Sequence, residues 1–167
     1  MRKMTEDNIK AAFAGESQAH TKYQIFAYYA EKEGKKDLAR LFNAVAYAEL
    51  VHAKNHFKTL GGIGGNVENL SSAVAGETFE ITEMYPAYDA VAKLQEEKGA
   101  LRAIKWAIEA EKAHKELFEK AKATEEKGEA YALAEIHICA ECGYTVEGEV
   151  PDKCPLCGKP KEIFKSF

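Results

Sequence analysis

Two four-residue words constrain what this chain can fold into: Glu49-Leu-Val-His52 and Glu111-Lys-Ala-His114. Residues three apart on an α-helix share a side, so each word presents a carboxylate and an imidazole together. A further glutamate precedes each word, Glu16 thirty-three residues before Glu49 and Glu80 thirty-one before Glu111. On a wheel turning about 100° per residue, apolar side chains gather round all four glutamates. Ile9, Phe13, Tyr23 and Ala27 surround Glu16; Leu38, Phe42, Val45 and Ala53 surround Glu49; Val91 and Leu94 surround Glu80; Ile104, Ala107 and Phe118 surround Glu111. Glu83 lies about 60° to one side of Glu80. An ionised carboxylate left unpaired in an apolar interior costs several kcal/mol or takes up a proton. Five inward glutamates therefore call for cations, and carboxylate oxygens with two imidazoles and no thiolate favour iron or manganese over zinc or copper.

The rest of the periodicity supplies the frame. A first helix is expected from Thr5, as cap, to Glu33, with Gly34 as its stop, and a second from Lys36 to Leu60. Residues 61–76 carry five of the twelve glycines and neither period, which reads as a connection. Extended, it reaches about 50 Å, enough to return along a helix of about 38 Å as a crossover. A third helix is expected over Glu77–Glu97, with Pro86 loosening the turn that contains Thr82, and a fourth from Gly99 to Lys127, stopped at Gly128. The two halves are versions of one hairpin, and stacking them gives a mainly α four-helix bundle over residues 1–130 with a crossover between helices two and three. His56 also points inward, as a ligand or as a buried histidine beside the site; His20 flanks Glu16. Tyr23 and Tyr88 read as core aromatics whose phenols need acceptors such as carboxylates.

All four cysteines fall in the last 29 residues as Cys139-x-x-Cys142 and Cys154-x-x-Cys157, spaced for a tetrahedral metal. Residues 131–167 are too few to bury a core unaided, so the metal must hold them. Zinc and iron share the four-sulfur geometry, but only iron passes single electrons. The remainder of the composition excludes partners. A net charge of −4 with interspersed signs gives no footprint for nucleic acid or an anionic membrane surface, and no apolar run approaches a membrane span. The first ten residues lack the apolar core of a secretory signal, and the expected compartment is the cytoplasm.

With these residues in place the whole chain resembles the rubrerythrins, ferritin-like di-iron bundles followed by a rubredoxin-like domain. The resemblance rests on AGESQAH around Glu16, AYAELVHAKNHF around Glu49 and His52, GETFEITEMYP around Glu80 and Glu83, EAEKAHKELF around Glu111 and His114, and the knuckles Cys142-Gly-Tyr and Cys154-Pro-Leu-Cys157-Gly. It implies two irons, oxo- and carboxylate-bridged, with Glu49 and Glu111 bridging, Glu16 on the first and Glu80 with His114 on the second. It implies that the first iron exchanges His52 for Glu83 on oxidation; the counterpart of Glu83 in the first hairpin is Ala19. Tyr23 and Tyr88 match phenols that hydrogen-bond carboxylate ligands. Cys139, Cys142, Cys154 and Cys157 hold a third iron, for which zinc is a possible substitute.

The implied activity is hydrogen peroxide reduction to water, with electrons relayed through the four-cysteine iron centre from a rubredoxin or an NAD(P)H-dependent reductase. A ferroxidase or iron-handling protein of ferritin type is the alternative, and a zinc-filled scaffold without turnover a second. A homodimer or higher homo-oligomer is implied, and the glycine-rich crossover permits helix hairpins to be exchanged between subunits, as in some members of the family. Because the cysteine-rich segment follows the end of helix four, electron transfer is expected to run between chains.

Overall fold

The computed structural model describes residues 1–167 and is mainly helical. Helix α1 runs Lys3–Lys32 and α2 Lys36–Thr59. Helix α3 runs Asn66–Phe79, continues through a π-helical turn at Glu80–Met84 and resumes as α4, Tyr85–Leu94. Helix α5 spans Lys98–Glu126. A three-stranded antiparallel sheet follows, β1 Ile136–Cys139, β2 Thr145–Glu147 and β3 Phe164–Ser166, in the order β2-β1-β3. No helix is long and apolar enough to cross a membrane.

The chain divides into two compact units, Met1–Gly64 and Gly65–Phe167. In the first, α1 and α2 pack as a hairpin whose fully buried positions are all alanine: Ala27, Ala30, Ala39, Ala46 and Ala53. Small residues let the two backbones approach, and the larger rings close the seam above and below, with Phe13 stacked on Phe57 at 5.2 Å and Phe26 edge-on to Phe42 at 5.5 Å. The Nδ1–H of His20 donates to the carbonyl of Ala46 at 2.8 Å, so this histidine clamps α1 to α2. Gly34, at φ +74°, ends α1 as expected, with Lys35 N–H returning to the Ala30 carbonyl at 2.8 Å. Thr5 does not cap: the helix starts two residues earlier, with Arg2 at the cap and no side-chain cap bond.

In the second unit, Asn66 at the start of α3 donates to Glu125 near the end of α5, at 2.8 Å, which sets the two helices antiparallel. The expected connection over residues 61–76 is therefore mostly helix. Only Gly61–Gly65 remain outside α2 and α3 beyond the α2 cap, and they reach about 18 Å extended against about 36 Å for α2. The expected third helix is also displaced, since α3 begins eleven residues before Glu77.

Pro86 acts as its chemistry requires. Lacking an N–H, it cannot bond the carbonyl four residues back, at Thr82, and the wide turn Glu80–Met84 sits immediately before it, with Tyr85 N–H reaching the Glu80 carbonyl. Thr78 and Thr82 add to the bend by donating their hydroxyls to carbonyls four residues earlier, at 2.7 and 2.8 Å. Gly128, at φ +70°, terminates α5. The cysteine-rich segment then turns back along α5 and belongs to the same compact unit.

Candidate metal centres

Each unit holds one carboxylate–histidine group. In the first, Glu16 from α1 and Glu49 and His52 from α2 bring one potential ligand atom each within 4.8 Å of one another. His52 Nδ1 lies 3.0 Å from Glu49 Oε2. Hydrogen bonds from His52 and then from Glu16 hold the Glu49 carboxyl below its ordinary range. His56 on the same helix is half-buried and outside the group. Tyr23 packs against Phe42 and Phe26, each at 6.3 Å, as a core aromatic.

In the second unit the group is Glu77 from α3 with Glu111 and His114 from α5. His114 Nδ1 lies 2.7 Å from Glu111 Oε2. The Glu49 and Glu111 side chains are both 17 % exposed, so the two words occupy matching environments. Glu77 is the residue that sequence reasoning missed. Burial, a hydrogen bond to Glu111 and the charges of Glu111 and Glu80 push its carboxyl up to about 7. Glu80 lies close enough to feel the same field: burial and Glu111 raise it, and His114 partly opposes them. Glu83, by contrast, is exposed and outside the group. Tyr88 is 54 % exposed and meets Tyr85 edge-on at 6.3 Å. It is Tyr85 whose phenol sits in the carboxylate field, raised by burial and by Glu80, Glu111 and Glu77 in turn.

The residues of the third helix that lie in the carboxylate field are Glu77, Glu80 and Tyr85, each one turn before the expected Glu80, Glu83 and Tyr88. The first hairpin shows why. Tyr23 follows Glu16 by seven residues, two turns of α-helix, whereas Tyr85 follows Glu77 by eight, and the π-helical turn absorbs the extra residue.

The four cysteines also converge, unbridged by disulfides, with ligand atoms within 4.8 Å of one another. Cys139 and Cys157 sulfurs lie 3.6 Å apart, as do those of Cys142 and Cys154. A tetrahedron with arms of about 2.3 Å has edges of about 3.8 Å, so the set fits a four-sulfur metal. The two knuckles are alike: Gly143 and Gly158, at φ +77° and +75°, return their N–H groups to the carbonyls of Cys139 and Cys154 at 2.9 and 2.8 Å. Burial pushes the Cys142 thiol up; at Cys154, burial is outweighed by the N–H groups of Cys157 and Leu156, and the thiol falls below its usual range.

The carboxylate groups likewise fit hard cations. In the second group the crowding is enough to push the Glu77 carboxyl up to about 7, and each set adds one imidazole nitrogen to its carboxylate oxygens.

The rubrerythrin family profile matches residues 7–122, and the profile of the rubredoxin-like domain of rubrerythrin matches 137–165. Among relatives, the chain is 39 % identical to rubrerythrin-2 of Clostridium acetobutylicum, over 98 % of this chain and 97 % of that one. It is 35 % identical to nigerythrin of Nitratidesulfovibrio vulgaris, over 98 % and 86 %. Solved structures of nigerythrin in its mixed-valence and its fully reduced, all-ferrous states superpose with a TM-score of 0.56 at 33 % and 32 % identity, covering 98 % of this chain and 86 % of theirs.

Proposed function

Because this chain belongs to the rubrerythrin family, we propose that it is a non-haem di-iron peroxidase that reduces hydrogen peroxide to water in oxidative-stress defence. The family's members are iron-binding oxidoreductases with a rubredoxin-like centre. What carries the finer reading is the presence in one chain of two carboxylate–histidine groups and a four-sulfur group. Storage of iron needs no such single-electron site. When bound, the irons supply the two electrons that, with two protons, split peroxide into two waters, and the four-sulfur iron replenishes them.

The chain's own residues then take these roles. Glu49 and Glu111 would each hold iron together with the histidine of its own word. Glu16 completes the first group and Glu77 the second, in the place expected for Glu80. Glu80 becomes the additional carboxylate, and its counterpart in the first hairpin is Ala19. An exchange of His52 for a carboxylate on oxidation is then assigned to Glu80, not Glu83. His52 suits the exchange, being 54 % exposed and bonded only to Glu49.

The two groups lie on separate hairpins, and we propose that they close on one another with hairpins exchanged between two copies. The short Gly61–Gly65 connection supports this, as does the apolar surface each unit leaves open. Ile25, Phe26, Leu41 and Leu50 in the first unit, and Phe79, Val91 and Leu94 in the second, are 45–83 % exposed. The upstream donor is a rubredoxin or an NAD(P)H-dependent reductase.

Anaerobic stopped-flow mixing of the diferrous protein with peroxide tests the reading. Two-electron oxidation of the carboxylate site, faster with peroxide than with oxygen, is expected. Oxidation by oxygen alone, followed by mineral growth, would establish a ferroxidase instead.

A further inference from the structure

His114 is held from both sides of its ring. Nδ1 faces Glu111 Oε2 at 2.7 Å, and Nε2 lies 2.8 Å from the hydroxyl of Thr145, at the start of β2. Thr145 is itself buried, at 4 % exposure, and its hydroxyl donates to the Gly143 carbonyl at 3.0 Å. A threonine has one hydroxyl proton and a carbonyl can only accept. With that proton committed to Gly143, the Thr145 oxygen can only accept from His114. Nε2 therefore carries a proton, and Nδ1 is the nitrogen turned toward the Glu111 carboxylate.

We propose that Thr145 is a positioning residue for the metal site of α5: its hydroxyl holds the Nε2–H of His114, orients the ring with Nδ1 toward Glu111, and ties that ligand to the cysteine knuckle. The proposal rests on the reading of Glu77, Glu111 and His114 as metal ligands. Gly143 immediately follows Cys142, so two hydrogen bonds join the backbone of the four-sulfur group to the ring of His114 within one chain. A second contact eight residues back along α5 fixes the same docking, where Trp106 packs on the buried cysteines Cys139, Cys142 and Cys154. The bridge lines an apolar pocket of about 290 Å³ walled by Leu117, Phe118, Ile136 and Ile138. The other half differs. His52 bonds Glu49 alone and is 54 % exposed. One word thus has an imidazole held at both ring nitrogens and the other an imidazole held at one, and the second hold comes from the cysteine-rich segment.

The test compares Thr145→Val, which removes the hydroxyl at nearly constant shape, with Thr145→Ser, which keeps it, in the full chain with zinc in the four-sulfur site. Proton–nitrogen NMR of the His114 ring is expected to show an Nε2 proton protected from solvent exchange in the wild type and in T145S. In T145V that protection should be lost. Cobalt(II) titration of the carboxylate site should show about ten-fold weaker binding in T145V and wild-type binding in T145S. Equal protection of the His114 Nε2 proton in all three proteins overturns the proposal. Cobalt uptake absent already in the wild type would refute the metal-site reading, and the NMR comparison would then decide the role of Thr145 by itself.

Discussion

The proton held at Glu77 is what an incoming cation must displace. Its carboxyl titrates near 7 in the folded, metal-free protein against an ordinary value of 4.5, so the folded state binds the proton more tightly than the unfolded state does. That contribution to stability is fully present below about pH 4.5 and is lost as pH rises through about 7. Thermal melts of the metal-free protein should therefore show a midpoint that falls across this window, and Glu77→Gln should flatten the dependence. Metal affinity should run the other way, rising with pH as the proton leaves. One turn on, Glu80→Ala should leave iron uptake in the reduced state largely intact and impair retention on oxidation, while Glu83→Ala should do neither; iron analysis before and after peroxide distinguishes them. The signal for Glu77 is present in the sequence. Thirty-four residues separate it from Glu111, closer to the thirty-three of the first hairpin than the thirty-one counted from Glu80. A wheel assuming unbroken α-helix hides it, because the π-helical turn adds a residue that such a wheel cannot accommodate.

At the scale of elements, the four helical rods are legible from apolar phase and from the glycines that end α1 and α5. The start of α3 is not. Asn66–Gly76 is rich in small and polar residues and has no strong apolar stripe, and its Gly76 costs about 1 kcal/mol relative to alanine within a helix. Tertiary packing against α5 makes it helical all the same. Pro86 is legible, and so is the turn it disturbs. Restoring an amide with Pro86→Ala gives Thr82 its partner and favours regular α-helix, which rotates Glu77 and Glu80 relative to Tyr85 by about 100°. Hydrogen exchange should then show new protection at residue 86, and iron binding in the second group should weaken. The sheet places Cys139 at the end of β1 and Thr145 at the start of β2, paired with Ile138. That pairing is what turns the cysteine-rich segment toward His114. Beside the expected transfer between chains, a hydrogen-bonded path joins the cysteine knuckle to His114 within one chain. Sequence order cannot show this, because the residues meet only after the chain doubles back.

For the whole molecule, both compact units leave large apolar side chains exposed, and the buried positions of the first are all alanine. Exchange of hairpins between two copies makes a sharp prediction. Chains carrying Glu49→Gln have a defective first group and chains carrying Glu111→Gln a defective second, and neither alone should bind the iron pair. Refolded together in equal amounts, exchanged dimers pair the intact groups of both chains in one of two sites of each heterodimer, which restores about a quarter of the peroxidase activity by random assortment. Unexchanged dimers restore none. The central claim, that the two Glu-x-x-His words hold an iron pair beside a separate four-sulfur iron, is tested most directly by counting iron per chain after anaerobic reconstitution. We expect about three in the wild type and about one in the Glu49→Gln, Glu111→Gln double variant; a wild-type chain that retains only the one iron of its cysteines would contradict the account.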